Sequence, residues 1–262
     1  MGGIETIWPV AETTIDRTTA MTFDHAILHA LNAHVGASPA LDALIVMVQR
    51  NPLLKGAPMV MPLLFAWFST LGSDDDRLRR RQLVVTGVGA MMVALLVARM
   101  VANFTPYRVR PILDASLHLR LPGGLTVEDG STWSAFPSDH AAVWFALALT
   151  LWLVNRRWGW VALAYAALLG VMRVYVAFHS PSDILAGGLI GMAAVFVMTR
   201  PAPRAIVYDR VAPIEARYPG LFYAGLFLFA YQVTTMFTET RWLARLLFNL
   251  LSGGEVAGFP AD

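Results

Sequence analysis

The chain has 262 residues, 56% of them hydrophobic and 15% charged, with a formal net charge of +2 at pH 7. So little charge, with the apolar residues gathered in long runs, excludes an ordinary soluble domain and describes a polytopic membrane protein. The lack of cysteine excludes disulfides and thiolate metal sites, and the small net charge gives no reason to expect nucleic acid as a partner.

In chain order, Met1 to Thr22 is polar and threonine-rich and reads as irregular. With Glu5, Glu12 and Asp16 and no apolar core, it does not read as a secretory signal. Phe23 to Ala33 and Ala40 to Arg50 carry helical periodicity in short, mixed segments, as expected of helices lying at the membrane interface. Six apolar segments follow: Leu53 to Leu71, Leu83 to Thr105, Pro137 to Val154, Trp158 to Phe178, Ser182 to Thr199 and Leu221 to Phe237. Each is close to the ~20 residues that a bilayer core requires. The expected fold is therefore all-α, a polytopic membrane bundle of about six transmembrane helices with N-terminal interfacial helices. The chain divides into an N-terminal segment, 1–52, a membrane core, 53–199, and a C-terminal part, 200–262, with a loop, an extra span and a tail. The tail, Arg241 to Leu251, reads as an amphipathic surface helix.

Arginine sets the orientation. Arg77, Arg79, Arg80 and Arg81 lie between spans one and two, and Arg156 and Arg157 between three and four. Arg200, Arg204, Arg210 and Arg217 lie between five and six. These loops share one side, expected to be cytoplasmic. The loops between spans two and three and between four and five then face the periplasm or cell exterior.

Those outward loops carry the chemistry. Ala135-Phe136-Pro137-Ser138-Asp139-His140-Ala141 sets a polar group at the start of span three. Unpaired N–H groups in a first helical turn favour an anion, and a histidine there can hand it a proton. Upstream lies Arg110-Pro111, and downstream Arg173-Val174-Tyr175-Val176-Ala177-Phe178-His179-Ser180-Pro181-Ser182-Asp183. Topology alone gathers these blocks at the outer ends of neighbouring helices. A charged pocket there suits a lipid headgroup phosphate.

Three such blocks in this order resemble the type 2 phosphatidic acid phosphatase superfamily. Its pattern is Lys-x6-Arg-Pro, then Pro-Ser-Gly-His, then Ser-Arg-x5-His-x3-Asp. The resemblance covers Asn103 to Asp183 and implies that the membrane core is a phosphatase. By this resemblance His179 is the nucleophile, forming a phosphohistidine that water hydrolyses. His140 is the general acid and base. Asp183 can accept a hydrogen bond from one ring nitrogen of His179, and it also reads as an acid in a capped first turn. Arg110 and Arg173 grip phosphate oxygens, with Ser138 and the backbone of Asp139 as further donors. No metal or cofactor is expected, since guanidinium and N–H groups can offset the developing charge.

The sequence departs from the pattern at Asn103, Asp139 and Met172, which stand where the family has lysine, glycine and serine. Pro-Ser-Asp-His resembles the version in bacitracin-resistance-type undecaprenyl diphosphatases and so implies a polyprenyl diphosphate substrate. Arg99 lies one turn before Asn103, and a charge inside a span faces a partner or a wet cavity. Arg99 is thus the expected replacement for the lysine, with Arg108 as the alternative.

Other residues carry weaker signals. His25 and His29, beside Asp24, have metal-pair spacing without an evident third ligand, and an interfacial helix is the simpler reading. The loop with His118, Glu128 and Asp129 is a candidate cover for the pocket. Trp133 and Phe136 read as interfacial anchors, Tyr175 as packing or pocket lining, and Gly187, Gly188 and Gly191 as close-packing positions. Phosphatidate, phosphatidylglycerophosphate or lipid A phosphatase activity, and phosphotransfer to another acceptor, share the same nucleophile. An anion or lipid transporter and a metalloenzyme using His140, His179, Asp139 and Asp183 are readings of other classes.

Overall fold

The computed structural model describes residues 14–131, 133–240, 242–243 and 246–247. Two helices, α1 (Thr14–Asn32) and α2 (Pro39–Arg50), precede α3 (Pro52–Phe68), α4 (Asp74–Phe104), α5 (Asp139–Val154) and α6 (Arg156–Tyr175). Then come α7 (Pro181–Met198), α8 (Pro201–Arg217) and α9 (Pro219–Thr234). The long α4–α5 connection holds three 3-10 turns, Pro111–Leu113, Ala115–Leu117 and Val127–Asp129. All regular structure among the described residues is helical, as the hydrophobic periodicity implies. By length and composition three helices, α4, α6 and α7, can cross a membrane, and α3 and α5 are shorter apolar helices.

The bundle is built around α5, which touches α3, α4, α6 and α7. Its residues Ala141, Val143, Trp144, Ala146, Leu147 and Leu151 are all buried. A helix apolar all round belongs in an interior, and here neighbours surround it. The α5–α7 contact is unusually close. A Cβ at Gly187 would lie 2.2 Å from the Ser138 carbonyl oxygen, and one at Gly191 2.2 Å from that of Ala142. Small residues on α7 thus bring its first turn against the start of α5, and the two polar blocks of the sequence meet.

Several elements differ from the sequence reading. The irregular N-terminal segment gives way to helix from Thr14 onward, while residues 1–13 lie outside the described ones. The helix docks on α6 and α7 with Asp24 and Leu28 each 1% exposed, and such docking outweighs the poor helix propensity of threonine. Helix α4 begins at Asp74, before the apolar run, where Ser73 and Asp76 form a capping box. The arginine-bearing segment after α7 is no loop but α8, despite Pro213 inside it. Its three prolines and polar composition mask the helical pattern. An Arg81–Glu215 ion pair and the Tyr223 hydroxyl, which donates to Glu215, tie it to α4 and α9. Of the amphipathic tail expected at Arg241 to Leu251, only residues 242–243 and 246–247 are described, and these are helical.

The α5–α7 contact makes a stability prediction. Gly191→Ala should lower the melting temperature in detergent, with a loss of about 1–3 kcal/mol, because the backbone carbonyl it meets cannot step aside. Gly123→Ala, whose added Cβ meets nothing within 4 Å, should leave it unchanged.

Candidate active site

The site begins where α6 ends. Phe178 N–H donates to the Arg173 carbonyl and Ala177 N–H to that of Val174, each at 3.0 Å, with Ala177 left-handed at φ 59°. This is a Schellman motif, formed here by an alanine at a strain of about 1–2 kcal/mol. The Ala177 carbonyl accepts from Ile112 N–H at 2.8 Å, which stitches the turn to Arg110-Pro111. Helix α7 then starts at Pro181, and Ser180 N–H donates to Asp183 Oδ2 at 2.8 Å. Between the two helices stands His179.

The His179 ring is 2% exposed and held at both nitrogens. Nδ1 lies 3.0 Å from the Ala135 carbonyl oxygen and 3.5 Å from Asp183 Oδ2. Nε2 lies 3.2 Å from Arg110 Nη1. A carbonyl only accepts and a guanidinium only donates. The proton therefore belongs on Nδ1, and the Nε2 lone pair faces Arg110. Burial pushes the His179 pKa down to about 4, against the pull of Asp183 and helped by Arg173 and Arg110. Burial also lowers the pKa of Arg110, partly offset by Asp183. The imidazole is thus a neutral base with its lone pair beside a cation.

His179 lines a cavity of about 560 Å³. Arg110, Arg173, His140 and His179 are among its polar lining residues, and Leu95, Leu96, Met236 and Phe237 among its apolar ones. His140 sits in the first turn of α5, its ring edge-on to Trp144 at 5.3 Å. Arg173 is 6% exposed, donates to Gln49 Oε1 at 3.4 Å, and lies 5.4 Å from the Phe178 ring centre. Its buried Nε has no hydrogen-bond partner among the described residues. Arg99 also lines the cavity, paired with Asp139 and 4.6 Å above the Trp133 ring. One ion pair thereby joins Asp139, a position where the sequence departs from the resembled pattern, to the arginine expected to replace the missing lysine.

Not every candidate reaches the cavity. Asn103 is exposed and Ser138 fully buried, and neither lines it. The Ser138 hydroxyl instead caps α5, accepting from Ala141 N–H at 3.4 Å. Arg108 turns away to Asp24 and Asp183. Asp129 and Trp133 from the α4–α5 connection line the cavity, whereas His118 and Glu128 are exposed. Tyr175 packs, its hydroxyl donating to Asp42. His25 and His29 stack edge to face at 6.3 Å. Among the described residues no group of three or more His, Asp or Glu side chains could hold a metal ion. Sequence reasoning missed Gln49, Met236 and Phe237. Gln49 was legible only as a polar residue in a helical period, and the two apolar residues after α9 carry no signal.

Comparison with known proteins finds that residues 88–206 match the family model of the PAP2 superfamily, the superfamily that the sequence resembles. The matched PAP2 segment holds Arg99, Arg110, His140, Arg173, His179 and Asp183, and leaves out α1, α2, α3 and α9. The chain is 24% identical over 130 residues to the bacitracin transport permease protein BcrC of Bacillus licheniformis, covering 48% of this chain and 59% of that one. It is 24% identical over 173 residues to the undecaprenyl-diphosphatase BcrC of Bacillus subtilis (strain 168), covering 66% and 79%. The crystal structure of Aquifex aeolicus LpxE has a TM-score of 0.49 at 21% identity, covering 71% of this chain and 98% of that one.

The buried histidine makes stability depend on pH. Unfolded, His179 takes up a proton near its ordinary pKa of 6.5, and folded only near 4. It therefore subtracts from stability as pH falls from 6.5 toward 4, and adds no further loss below that. Between pH 7 and 4.5 the melting temperature should fall further for the wild type than for His179→Gln.

Proposed function

We propose that this protein is an integral membrane lipid phosphatase that removes the terminal phosphate of a polyprenyl diphosphate, undecaprenyl diphosphate first among them. The observation that carries the reading is the His179 tautomer, with a neutral Nε2 lone pair beside Arg110, both residues lining a partly apolar cavity. Nε2 attacks the terminal phosphorus, and the bond to the bridging oxygen breaks. His140 protonates that oxygen, which leaves as the lipid monophosphate. Arg110 and Arg173 hold the equatorial oxygens, and Arg99 exchanges part of its Asp139 contact for phosphate. Water, deprotonated by His140, then attacks the phosphohistidine. The N–P bond breaks, inorganic phosphate leaves, and the lone pair returns to Nε2.

A cavity lined by both cationic and apolar side chains suits a substrate with a phosphate head and a lipid tail. The name of the Bacillus subtilis relative supports the diphosphate. The six-span topology is supported by α3, α4, α5, α6, α7 and α9 in one bundle with arginines gathered in alternate connections, and the site would then face the periplasm or cell exterior of an inner or plasma membrane. Within it, residues 53–199 form the phosphatase core, with 1–52 and 200–262 as flanking parts. A transport reading has one observation in its favour, the name of the Bacillus licheniformis relative.

Phosphate release by purified protein in detergent, with chelator present, tests these readings together. Undecaprenyl diphosphate, phosphatidate and phosphatidylglycerophosphate are offered in parallel. Preferred release from the diphosphate is expected, abolished in His179→Ala and with a raised KM in Arg99→Ala. Retained turnover in His179→Ala would sink the assignment of the nucleophile. Preference for a glycerolipid would move the substrate class, and no release from any would favour a transferase or a transporter.

A further inference from the structure

Asp24 lies on α1, outside the PAP2 segment and outside the cavity, yet it is 1% exposed. A buried carboxylate requires partners, and Asp24 has three. Its Oδ1 accepts from Ser182 N–H at 2.8 Å, while Oδ2 accepts from the Ser182 hydroxyl at 2.6 Å and from the Arg108 guanidinium. Arg108 Nη1 donates in turn to Ser182 Oγ at 2.6 Å and to Asp183 Oδ1 at 2.8 Å. The other oxygen of Asp183 accepts from Ser180 N–H and lies 3.5 Å from His179 Nδ1. A continuous polar chain runs from the N-terminal helix to the back of the histidine.

We propose that Asp24 is a positioning residue for phosphoryl transfer, holding Arg108 and the first turn of α7 so that the Asp183 carboxylate stays beside His179 Nδ1. The inference rests on the reading of His179 as nucleophile. As Nε2 bonds to phosphorus the ring becomes cationic, and a carboxylate behind Nδ1 stabilises that charge. Arg108 has a side chain 31% exposed and can turn outward. Asp24 anchors it from the far side. Without that anchor Asp183 Oδ1 loses its cation in a site where the carboxylate has no exposure, and the carboxyl group reorients. A misplacement of about 1 Å beside reacting groups can lower a rate about 100-fold. The dependence is local, because α1 has a second anchor of its own. Asn32 donates to the Arg120 carbonyl at 2.7 Å and accepts from Arg120 N–H at 3.0 Å.

The test compares Asp24→Asn, Arg108→Gln, the double variant and His179→Ala, on the lipid phosphate that the wild type hydrolyses. Each single change at Asp24 or Arg108 should lower kcat about 10- to 100-fold with KM within about twofold, since neither residue touches substrate. The double variant should be no slower than the slower single, because both act through one link. A role of Asp24 in docking α1 alone would instead give losses that multiply. Multiplying losses, or wild-type kcat in either single variant, overturn the proposal. If Asp24→Asn does not fold, Arg108→Gln decides by the same criterion. Turnover in His179→Ala would overturn the nucleophile reading, and this inference with it, whereas an inactive His179→Ala beside a fully active Asp24→Asn overturns the inference alone.

Discussion

The arrangement depends on one imidazole held between a carbonyl and a guanidinium. The Ala135 carbonyl can only accept and the Arg110 guanidinium can only donate, so the ring of His179 has one satisfying tautomer. Burial then keeps it neutral. The Arg110 guanidinium satisfies the Nε2 lone pair, as it would in a structural histidine. Here the cation also borders a cavity and can pass its attraction to an incoming anion. The remaining site geometry follows from holding that ring still. The alanine-based turn after α6, the cap at Ser180 and the stitch from Ala177 to Ile112 each fix backbone within a few residues of it.

Bundle packing sets the distance between the two histidines. His140 opens α5 and His179 precedes α7, so their separation is governed by how closely those helices approach. Gly187 and Gly191 let backbone carbonyls of α5 sit where side chains would otherwise stand. The Ser138 N–H donates to the Asp183 carbonyl at 3.0 Å, tying the two starts together directly. Helix packing in the apolar layer and the chemistry at its edge are therefore one geometric problem. Small residues solve it where hydrophobic attraction between helices is weak.

Much of this was legible in the residues. Alternating apolar runs and arginine-rich connections marked the helices, and the spaced Arg-Pro, Ser-Asp-His and Arg-to-Asp blocks marked the candidate site. Arg99 was also legible, because a charge within a span needs a partner; its pairing with Asp139 was not, since ion-pair choice depends on helix rotation. Helix α8 was hidden by prolines that sequence rules treat as breakers. Asp24 was hidden for another reason. A carboxylate on a short amphipathic helix looks solvated, and only tertiary docking turns it toward Arg108 and α7. Local patterns report what a segment tends to become, whereas burial of a polar side chain is decided by segments far away in sequence.

Covalent catalysis at His179 is tested most directly by trapping the intermediate. His140→Ala is mixed with substrate, quenched within milliseconds to seconds in alkali, which preserves phosphoramidate bonds, and digested for mass spectrometry. An alkali-stable, acid-labile phosphoryl group on His179 is the expected result; it accumulates because a lipid monophosphate leaves more readily without a proton than neutral water attacks without a base, so loss of His140 slows hydrolysis more than formation. Turnover with no phosphoryl group on His179, or with one on another residue, would contradict the role assigned to its lone pair.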